Sequence, residues 1–364
     1  MENIIEYAEN NMKTFAAKEF NAVDSLVLSK LSYVRFENIV PSFSDKSKPV
    51  KMGELLRAES FGSMFKDFRD TEHTRRFVYA LAASPRYRNT YLNFYINNHD
   101  PLTEKQFSAV TFYMEDKTIY IAYRGTDSTF MGWKEDFNMA YISPVPAQKD
   151  GVKYLNAVAR KTPRVTIRVG GHSKGGNLAV YSAVKCDQRV QKRIINVYNH
   201  DGPGFKDNIF ETTEFLRIKN RIHTTLPESS LVGMLLQHHA DYFVIKSCKH
   251  GIKQHDAFSW NVENGDFSYA QKISNGALLR SKSLNEWLNL LDDKKRKKII
   301  DVLFDVLEKS ENDSFVDLSE ERDKSVASIL SAIKNIDSET KKFVLETVKE
   351  LVKLSVKNIF IQLK

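Results

Sequence analysis

The chain has 364 residues, 42% hydrophobic and 27% charged, a composition typical of a globular protein and not of a disordered or fibrous one. The net charge of +8 is not gathered into a basic stripe, so we do not expect a nucleic-acid partner. The two cysteines, Cys186 and Cys248, exclude a disulfide framework. Because the sequence shows neither an uncharged apolar run of ~18 residues nor a signal-peptide pattern, we expect a cytoplasmic protein without a membrane span.

The first hundred residues are predicted to be mostly helical. Residues 24–31 begin with Asp24, a residue type that caps helices, and carry apolar side chains at helical spacing. Residues 72–83 form a second helical pattern, which Pro85 ends.

From residue 107 the pattern changes to short strands that alternate with helices. Residues 107–114 and 118–123 are rich in β-branched and aromatic side chains, and a polar turn joins them. A helix from about 177 to 185 separates two further strands. The strands predicted after residue 123 are 165–169, 194–198, 221–225 and 242–246. This alternation predicts an α/β fold with a mostly parallel sheet covered by helices.

Beyond residue 284 the chain is predicted to be helical again. We therefore divide it into a domain of residues 1–283 and a C-terminal helical extension of residues 284–364. The last helix carries Lys349, Lys353 and Lys357, which would suit a membrane surface. Packing of this helix on its own domain is the favoured interpretation.

The sequence G-H-S-K-G at residues 171–175 follows a predicted strand and precedes a predicted helix. A sharp strand-to-helix turn of this kind needs small flanking residues, because the serine at its tip is strained and exposes its hydroxyl. Ser173 is therefore predicted to be a nucleophile. The helix that follows would point backbone N–H groups at a developing oxyanion.

A nucleophilic serine needs a histidine as base and an acid that orients the histidine. At a turn of this kind, the acid and then the histidine are expected to follow the serine along the chain. His255, in a polar loop after the last predicted strand, is the expected base. Asp201 ends the strand next to the serine turn and is the expected acid, with Glu228 as the rival. Thr126, which follows Gly125 at the end of an earlier strand, is the expected second oxyanion donor, through both its backbone N–H and its hydroxyl. We do not predict a metal site, since its candidate ligands lack a metal-binding spacing; they are His238, His239, Cys248, His250 and His255.

Three motifs together resemble the fungal-type triglyceride lipases of the α/β-hydrolase superfamily. They are Y-R-G-T at residues 123–126, G-W-K-E-D-F at 132–137 and G-H-S-K-G-G-N at 171–177. A closer resemblance is to an uncharacterised bacterial family of lipase-like proteins, which shares the helix of residues 24–33, W-K-E-D-F at 133–137, D-G-P-G-F at 201–205, V-G-M-L at 232–235 and Q-H-D at 254–256 with Trp260. The similarity spans residues 20–265. It implies an α/β-hydrolase fold, with Ser173 as nucleophile, His255 as base, and the backbones of Thr126 and Lys174 as oxyanion donors.

Two positions depart from the fungal pattern. The fungal lipases place their acid where this chain has Ser230, whereas Asp201 resembles the acid position of pancreatic-type lipases, one strand earlier. They also have an apolar residue after the serine, where this chain has Lys174. The ammonium of Lys174 could face an anionic substrate, or it could pair with Glu135 or Asp136.

These observations predict a serine hydrolase that cleaves a carboxylic ester, with a small acyl ester or a lipid as substrate and without a cofactor. The alternative is a binding or regulatory protein that keeps the hydrolase scaffold without its chemistry.

Overall fold

The computed structural model describes residues 2–308, except 67, 69, 127–129, 239 and 240, together with scattered positions between 342 and 358. The strands are β1 (Val50–Lys51), β2 (Tyr91–Asp100), β3 (Lys105–Tyr113), β4 (Ile119–Tyr123), β5 (Ile167–His172), β6 (Ile194–His200), β7 (Ile222–Pro227), β8 (Phe243–Ile245), β9 (Val262–Glu263), β10 (Asp266–Phe267) and β11 (Tyr269–Ala270). The helices are α1 (Ile4–Asn10), α2 (Ala22–Leu31), α3 (Phe61–Met64), α4 (Thr71–Ala83), α5 (Phe130–Asn138), α6 (Pro146–Lys161), α7 (Lys174–Lys185), α8 (Gln188–Gln191), α9 (Thr213–Leu216), α10 (Asn275–Leu290) and α11 (Asp293–Glu308).

A central sheet of nine strands has the order β1-β2-β3-β4-β5-β6-β7-β8-β11. Its strands from β4 to β8 are parallel, and antiparallel strands extend it at both edges. Strands β9 and β10 form a separate hairpin. The predicted mostly parallel sheet is confirmed. Parallel strands need crossover helices, and α6 and α7 supply those between β4, β5 and β6.

The two faces of the sheet belong to different hydrophobic cores. On β4, Tyr120 and Ala122 point into a core shared with α1, α2 and α4, whereas Ile121 and Tyr123 point into a core shared with α6 and α7. This separation follows from the alternation of side chains along a strand. The sheet is therefore covered on both faces, as parallel sheets require.

The beginning of the chain is joined to a segment more than 240 residues later. Val262 donates its backbone N–H to the Glu2 carbonyl at 2.7 Å. The carbonyl of Gly265 accepts from Lys18 Nζ at 2.9 Å and from Asn21 Nδ2 at 3.0 Å. Trp260, Val262 and other residues of this later segment also complete the core around α1 and α2.

A buried ion pair fixes α2 to the loop after α4. Arg86 donates to both carboxylate oxygens of Asp24, at 2.7 and 2.5 Å, and both side chains are fully buried. Tyr7 and Tyr87 also donate to this carboxylate. Burial, followed by the nearby Asp24 charge, raises the pKa of both phenols, so they remain protonated donors. Asp24 is therefore a buried anchor.

Several boundaries in the N-terminal part differ from the prediction. Helix α2 begins at Ala22 with Asn21 as its cap, so Asp24 lies inside the helix and does not start it. The prediction of a mostly helical first hundred residues is wrong for β2, a strand of ten residues. Three asparagines and a histidine obscure that strand, because Asn is rare in strands. Its pairing with β3 outweighs this low propensity.

The C-terminal helical extension is described only in part. The predicted boundary at residues 283 and 284 falls inside α10, and α11 packs on α5 through an edge-to-face contact of Phe304 with Phe137. Residues 309–341 lie outside the described residues, and the last predicted helix is described only at scattered positions. The division into two domains stays a prediction. Over the part of the chain that is described, we find no helix with the length and apolarity that a bilayer crossing requires.

We predict that Arg86→Met lowers the free energy of unfolding by about 3–5 kcal/mol, because it leaves the buried Asp24 carboxylate without its cation. Urea denaturation measures this change. Arg76→Met is the matched control, since Arg76 binds Glu9 on the surface, where an ion pair contributes little. Equal stabilities of the two variants would contradict the anchoring role of Asp24.

Candidate active site

Ser173 lies at the turn between β5, which ends at His172, and α7, which begins at Lys174. Its backbone has φ 59° and ψ −135°, a left-handed conformation that is strained for a residue other than glycine. Such a turn lifts the side chain out of the strand and aims it over the first turn of the helix. Together with the parallel sheet, it makes the structure an α/β-hydrolase fold, as predicted.

Close backbone contacts explain the glycines on both sides of this serine. A Cβ atom on Gly171 would lie 2.2 Å from the carbonyl carbon of Gly175. A Cβ atom on Gly175 would lie 2.1 Å from the Tyr123 carbonyl oxygen, at the end of β4. Neither distance is possible for a side chain. The G-x-S-x-G pattern is thus a packing requirement of the turn.

Ser173, His255 and Asp201 form one chain of hydrogen bonds. His255 Nδ1 lies 2.6 Å from Asp201 Oδ2, and His255 Nε2 lies 2.9 Å from Ser173 Oγ. Because a carboxylate only accepts, Nδ1 carries the ring proton and Nε2 accepts from the serine hydroxyl. The histidine is 20% exposed, whereas Asp201 is buried. This arrangement is able to withdraw a proton from Ser173.

Asp201 is held as an acceptor by donors on the other side of its carboxylate. Its Oδ1 accepts from the hydroxyl of Ser230 and from the backbone N–H of Gly233, the latter at 3.2 Å. Ser230 occupies the position where the fungal pattern has its acid, and here it hydrogen-bonds to the carboxylate that comes from the neighbouring strand. Among the described residues, Asp201 and not Glu228 is the carboxylate that binds His255.

The loop with Thr126 approaches the serine turn closely. A Cβ on Gly125 would lie 2.0 Å from the Tyr33 hydroxyl and 2.5 Å from the His172 carbonyl oxygen, so only glycine fits. The hydroxyl of Thr126 donates to Asp136 Oδ2 at 2.5 Å. Since a hydroxyl has one proton, the backbone N–H is the donor of Thr126 that remains for an oxyanion.

The side chain of Lys174 points away from the position that a substrate would take. Lys174 is fully buried, and its ammonium donates to Glu135 Oε2 at 3.0 Å. The hypothesis that this ammonium faces an anionic substrate is wrong, and the alternative pairing with Glu135 is the one observed. The cation is held inside the protein because the carboxylates of α5 lie beneath the turn.

A profile of one protein family matches residues 81–305, more than half of the chain. The chain belongs to the Mbeg1-like family. This match confirms the predicted resemblance to a lipase-like family. No curated protein is significantly similar to this Mbeg1-like chain in sequence.

Solved structures of fungal lipases are similar to this Mbeg1-like chain. For the Rhizomucor miehei lipase propeptide complex, the match has 16% identity and a TM-score of 0.38, and covers 61% of this chain and 66% of that one, just under two thirds. The match to a mutant of the Penicillium cyclopium protein MDLA has 13% identity and a TM-score of 0.39, and covers 67% of this chain and 82% of that one. The match to Lip2 lipase from Yarrowia lipolytica has 15% identity and a TM-score of 0.36, and covers 52% of this chain and 73% of that one. Such values assign no activity or substrate to this chain.

Sequence analysis missed two side chains that support the histidine. His172 Nε2 lies 2.8 Å from the His255 carbonyl oxygen, and its Nδ1 lies 3.2 Å from the Tyr33 hydroxyl. Burial, aided by the charges of His255 and Lys30, lowers the pKa of His172 well below its usual range. The neutral ring therefore donates to the carbonyl through Nε2 and accepts from the phenol. His172 lies inside the G-H-S motif, but nothing local identifies Tyr33.

The turn before His255 is fixed by further hydrogen bonds. Gln254 Oε1 accepts from the backbone N–H of Ser229 at 2.6 Å, which joins this turn to the segment that contains Ser230. The indole of Trp260 is buried and donates to the Gln254 carbonyl at 2.8 Å. The histidine is thus positioned by the loops that follow β7 and β8.

A cavity of about 370 Å³ has Gly202 and Gly233 among its lining residues, whereas Ser173, His255 and Asp201 do not line it. His238, Cys248 and His250 are described, whereas His239 lies outside the described residues. Within the described part of the chain, no group of three or more potential metal ligands comes together.

We predict that Gly171→Ala destabilises the protein by more than the about 1–3 kcal/mol usual for overpacking, since its methyl group would meet backbone that has no room to move. Thermal denaturation measures the loss. Gly62→Ala is the control, because nothing lies within 4 Å of a Cβ at Gly62, and its stability should be unchanged or slightly raised. A Gly171→Ala protein as stable as Gly62→Ala would refute the packing explanation.

Proposed function

We propose that this protein is a serine hydrolase that cleaves carboxylic esters. The observation that carries the proposal is the hydrogen-bonded chain from Ser173 through His255 to Asp201, with the serine at a strained strand-to-helix turn. This order of a nucleophile, a base and an orienting acid is what nucleophilic catalysis by serine needs. The chemistry requires no cofactor.

In the proposed mechanism, Ser173 Oγ attacks the ester carbonyl carbon while its proton passes to His255 Nε2. His255 then gives this proton to the alcohol oxygen as the carbon–oxygen bond breaks, which leaves the acyl group on Ser173. A water molecule, deprotonated by His255, attacks this acyl group. His255 then returns the proton to Ser173 Oγ as the bond between Oγ and the acyl carbon breaks, which releases the carboxylic acid and the free enzyme. Asp201 keeps the imidazole in the required tautomer and stabilises its positive charge.

The oxyanion of the tetrahedral intermediate would be bound by the backbone N–H groups of Thr126 and Lys174. Lys174 is the first residue of α7, so its N–H lies at the positive end of the helix dipole. Thr126 belongs to the loop that Gly125 brings against the serine turn. Donors fixed in advance in this way contribute several kcal/mol to such reactions, by the general rule of ~10²–10³-fold per donor.

The proposed substrate is a small acyl ester or a lipid, and the proposed location is the cytoplasm. Both cysteines are free thiols, Cys186 buried and Cys248 exposed, as suits a reducing compartment. Peripheral contact of the last helix with a membrane is the less favoured alternative to packing of this helix on its own domain. The structure describes that helix at scattered positions, Lys349, Lys353 and Lys357 among them.

We predict that Ser173→Ala folds normally but loses at least ~10³-fold in the hydrolysis of p-nitrophenyl esters. A series of esters with increasing acyl length measures this loss and defines the preferred chain. The wild type should also react with a fluorophosphonate probe at Ser173. Ser63→Ala is the control, because Ser63 is exposed and its hydroxyl donates to the carbonyl of Ser60, the residue that precedes its helix.

If the wild type neither reacts with the probe nor hydrolyses any ester, the alternative is favoured, namely a binding or regulatory protein on a hydrolase scaffold. Equal turnover by Ser173→Ala and the wild type would refute the mechanism.

We predict that Asp201→Asn reduces kcat by roughly 10⁴-fold, because an amide favours the wrong imidazole tautomer. Glu228→Gln should leave kcat almost unchanged. Steady-state kinetics on one ester compares the two. A larger loss in Glu228→Gln than in Asp201→Asn would move the acid to Glu228 without refuting a serine hydrolase.

A further inference from the structure

A buried cluster of charged groups lies beneath the serine turn, and the proposed triad does not use it. It consists of Lys174 from α7 and of Glu135 and Asp136 from α5. The Lys174 ammonium is 3.0 Å from Glu135 Oε2 and 3.8 Å from Asp136 Oδ1. The lysine is 0% exposed and Glu135 is 1% exposed. Buried charges are costly, so this cluster is held by specific contacts.

Glu135 is the fixed point of the cluster. Its Oε2 accepts from the Gln106 backbone N–H at 2.9 Å, and its Oε1 accepts from the Ala147 backbone N–H at 3.0 Å. These amides belong to β3 and to the first turn of α6, so the carboxylate is held by two parts of the scaffold. The Lys174 ammonium, bound to that carboxylate, is consequently immobile.

Asp136 connects the cluster to the proposed oxyanion site. Its Oδ2 accepts the Thr126 hydroxyl at 2.5 Å, while its Oδ1 faces the Lys174 ammonium. Burial raises the pKa of Asp136 to about 6, against the lowering effects of Lys174 and of the Thr126 hydroxyl. Without the Lys174 ammonium, the pKa of Asp136 would be higher still, so its carboxyl would be neutral over a wider range of pH.

We propose that Lys174 is a positioning residue: its ammonium, held by Glu135, keeps Asp136 as a carboxylate, and this carboxylate fixes Thr126 so that its backbone N–H points at the oxyanion. This inference rests on the proposed function. Lys174 thereby has two roles, since its own backbone N–H is the other proposed donor.

Asp136 must be ionised to hold Thr126 firmly, because the Thr126 hydroxyl has a single proton to donate in a hydrogen bond. An ionised Asp136 accepts a hydrogen bond from that hydroxyl and holds the Thr126 side chain in one rotamer. A neutral carboxyl has its own proton to donate and holds the hydroxyl less strongly. Misplacement of a donor weakens the binding of the transition state more than that of the substrate, so the loss should appear in kcat and not in KM.

The test compares steady-state kinetics of the full-length wild type with those of Asp136→Asn, Lys174→Met, Lys174→Arg, Thr126→Ala and the Lys174→Met/Thr126→Ala double variant. Asp136→Asn and Lys174→Met should each reduce kcat about 10- to 100-fold with KM little changed. Lys174→Arg should restore most of the activity, because it restores the charge. In the double variant, the loss should be no larger than in Thr126→Ala, because Lys174 acts through Thr126.

Asp136→Asn keeps the test valid if Lys174→Met does not fold, since it leaves the pair of Lys174 with Glu135 intact. Lys105→Met is the matched control: the Lys105 ammonium pairs at 2.9 Å with Asp150, a carboxylate outside the cluster, and the kcat of this variant should equal that of the wild type.

An unchanged kcat in Asp136→Asn would overturn the inference, and so would losses that multiply in the double variant. In both cases the wild type still hydrolyses the ester, so the proposed function stands. A wild type without turnover and without labelling of Ser173 would overturn the proposed function and this inference together.

Discussion

The contact between the serine turn and the end of β4 is the constraint on which the site depends. Gly175 in the first turn of α7 touches the Tyr123 carbonyl so closely that a methyl group would not fit. This approach sets the height of α7 above β4 and β5. It brings Ser173, the loop of Thr126 and the first N–H groups of α7 into one small region. The strained backbone of Ser173 persists because packing on both sides leaves it no alternative.

Buried carboxylates connect parts of the chain that regular secondary structure does not connect. Asp24 joins α2 to the loop after α4 through Arg86, and Glu135 joins α5 to β3, α6 and α7. A neutral chain of polar groups crosses the core nearby: Ser29, Tyr120, Ser25, His200 and Thr225 are linked by successive hydrogen bonds of 2.7–2.9 Å. Burial lowers the pKa of His200 to about 3, so this chain carries no charge. Such networks fix the relative positions of elements because a buried polar group that loses a hydrogen bond there has no water to replace the lost partner.

The local parts of the site could be predicted from sequence, whereas the long-range parts could not. The turn around Ser173 is encoded by five consecutive residues between a strand and a helix, and chain order with strand ends indicated Asp201 and His255. Their catalytic roles remain predictions, although the geometry joins their side chains. The contact of Tyr33 with His172 and the direction of the Lys174 side chain depend on residues far away in sequence. Strand β2 was missed for a related reason, since its asparagines disfavour a strand and only its pairing with β3 stabilises one.

The attachment of the N-terminus to residues 262–265 has a consequence for the order in which the protein folds. During synthesis, α1 and α2 leave the ribosome long before the segment that covers them, including Trp260 and Val262. Until then, the apolar face of these helices has no permanent cover, and the Gly265 carbonyl is not yet available to Lys18 and Asn21. The contacts between the N-terminus and residues 262–265 close a loop of more than 240 residues. The length of this loop adds little to the entropic cost of folding at equilibrium, but contacts over such a long stretch of chain form slowly. Until residues 260–267 have been synthesised, the apolar face of α1 and α2 is therefore exposed, and exposed apolar surface of this kind favours aggregation of a partly synthesised chain.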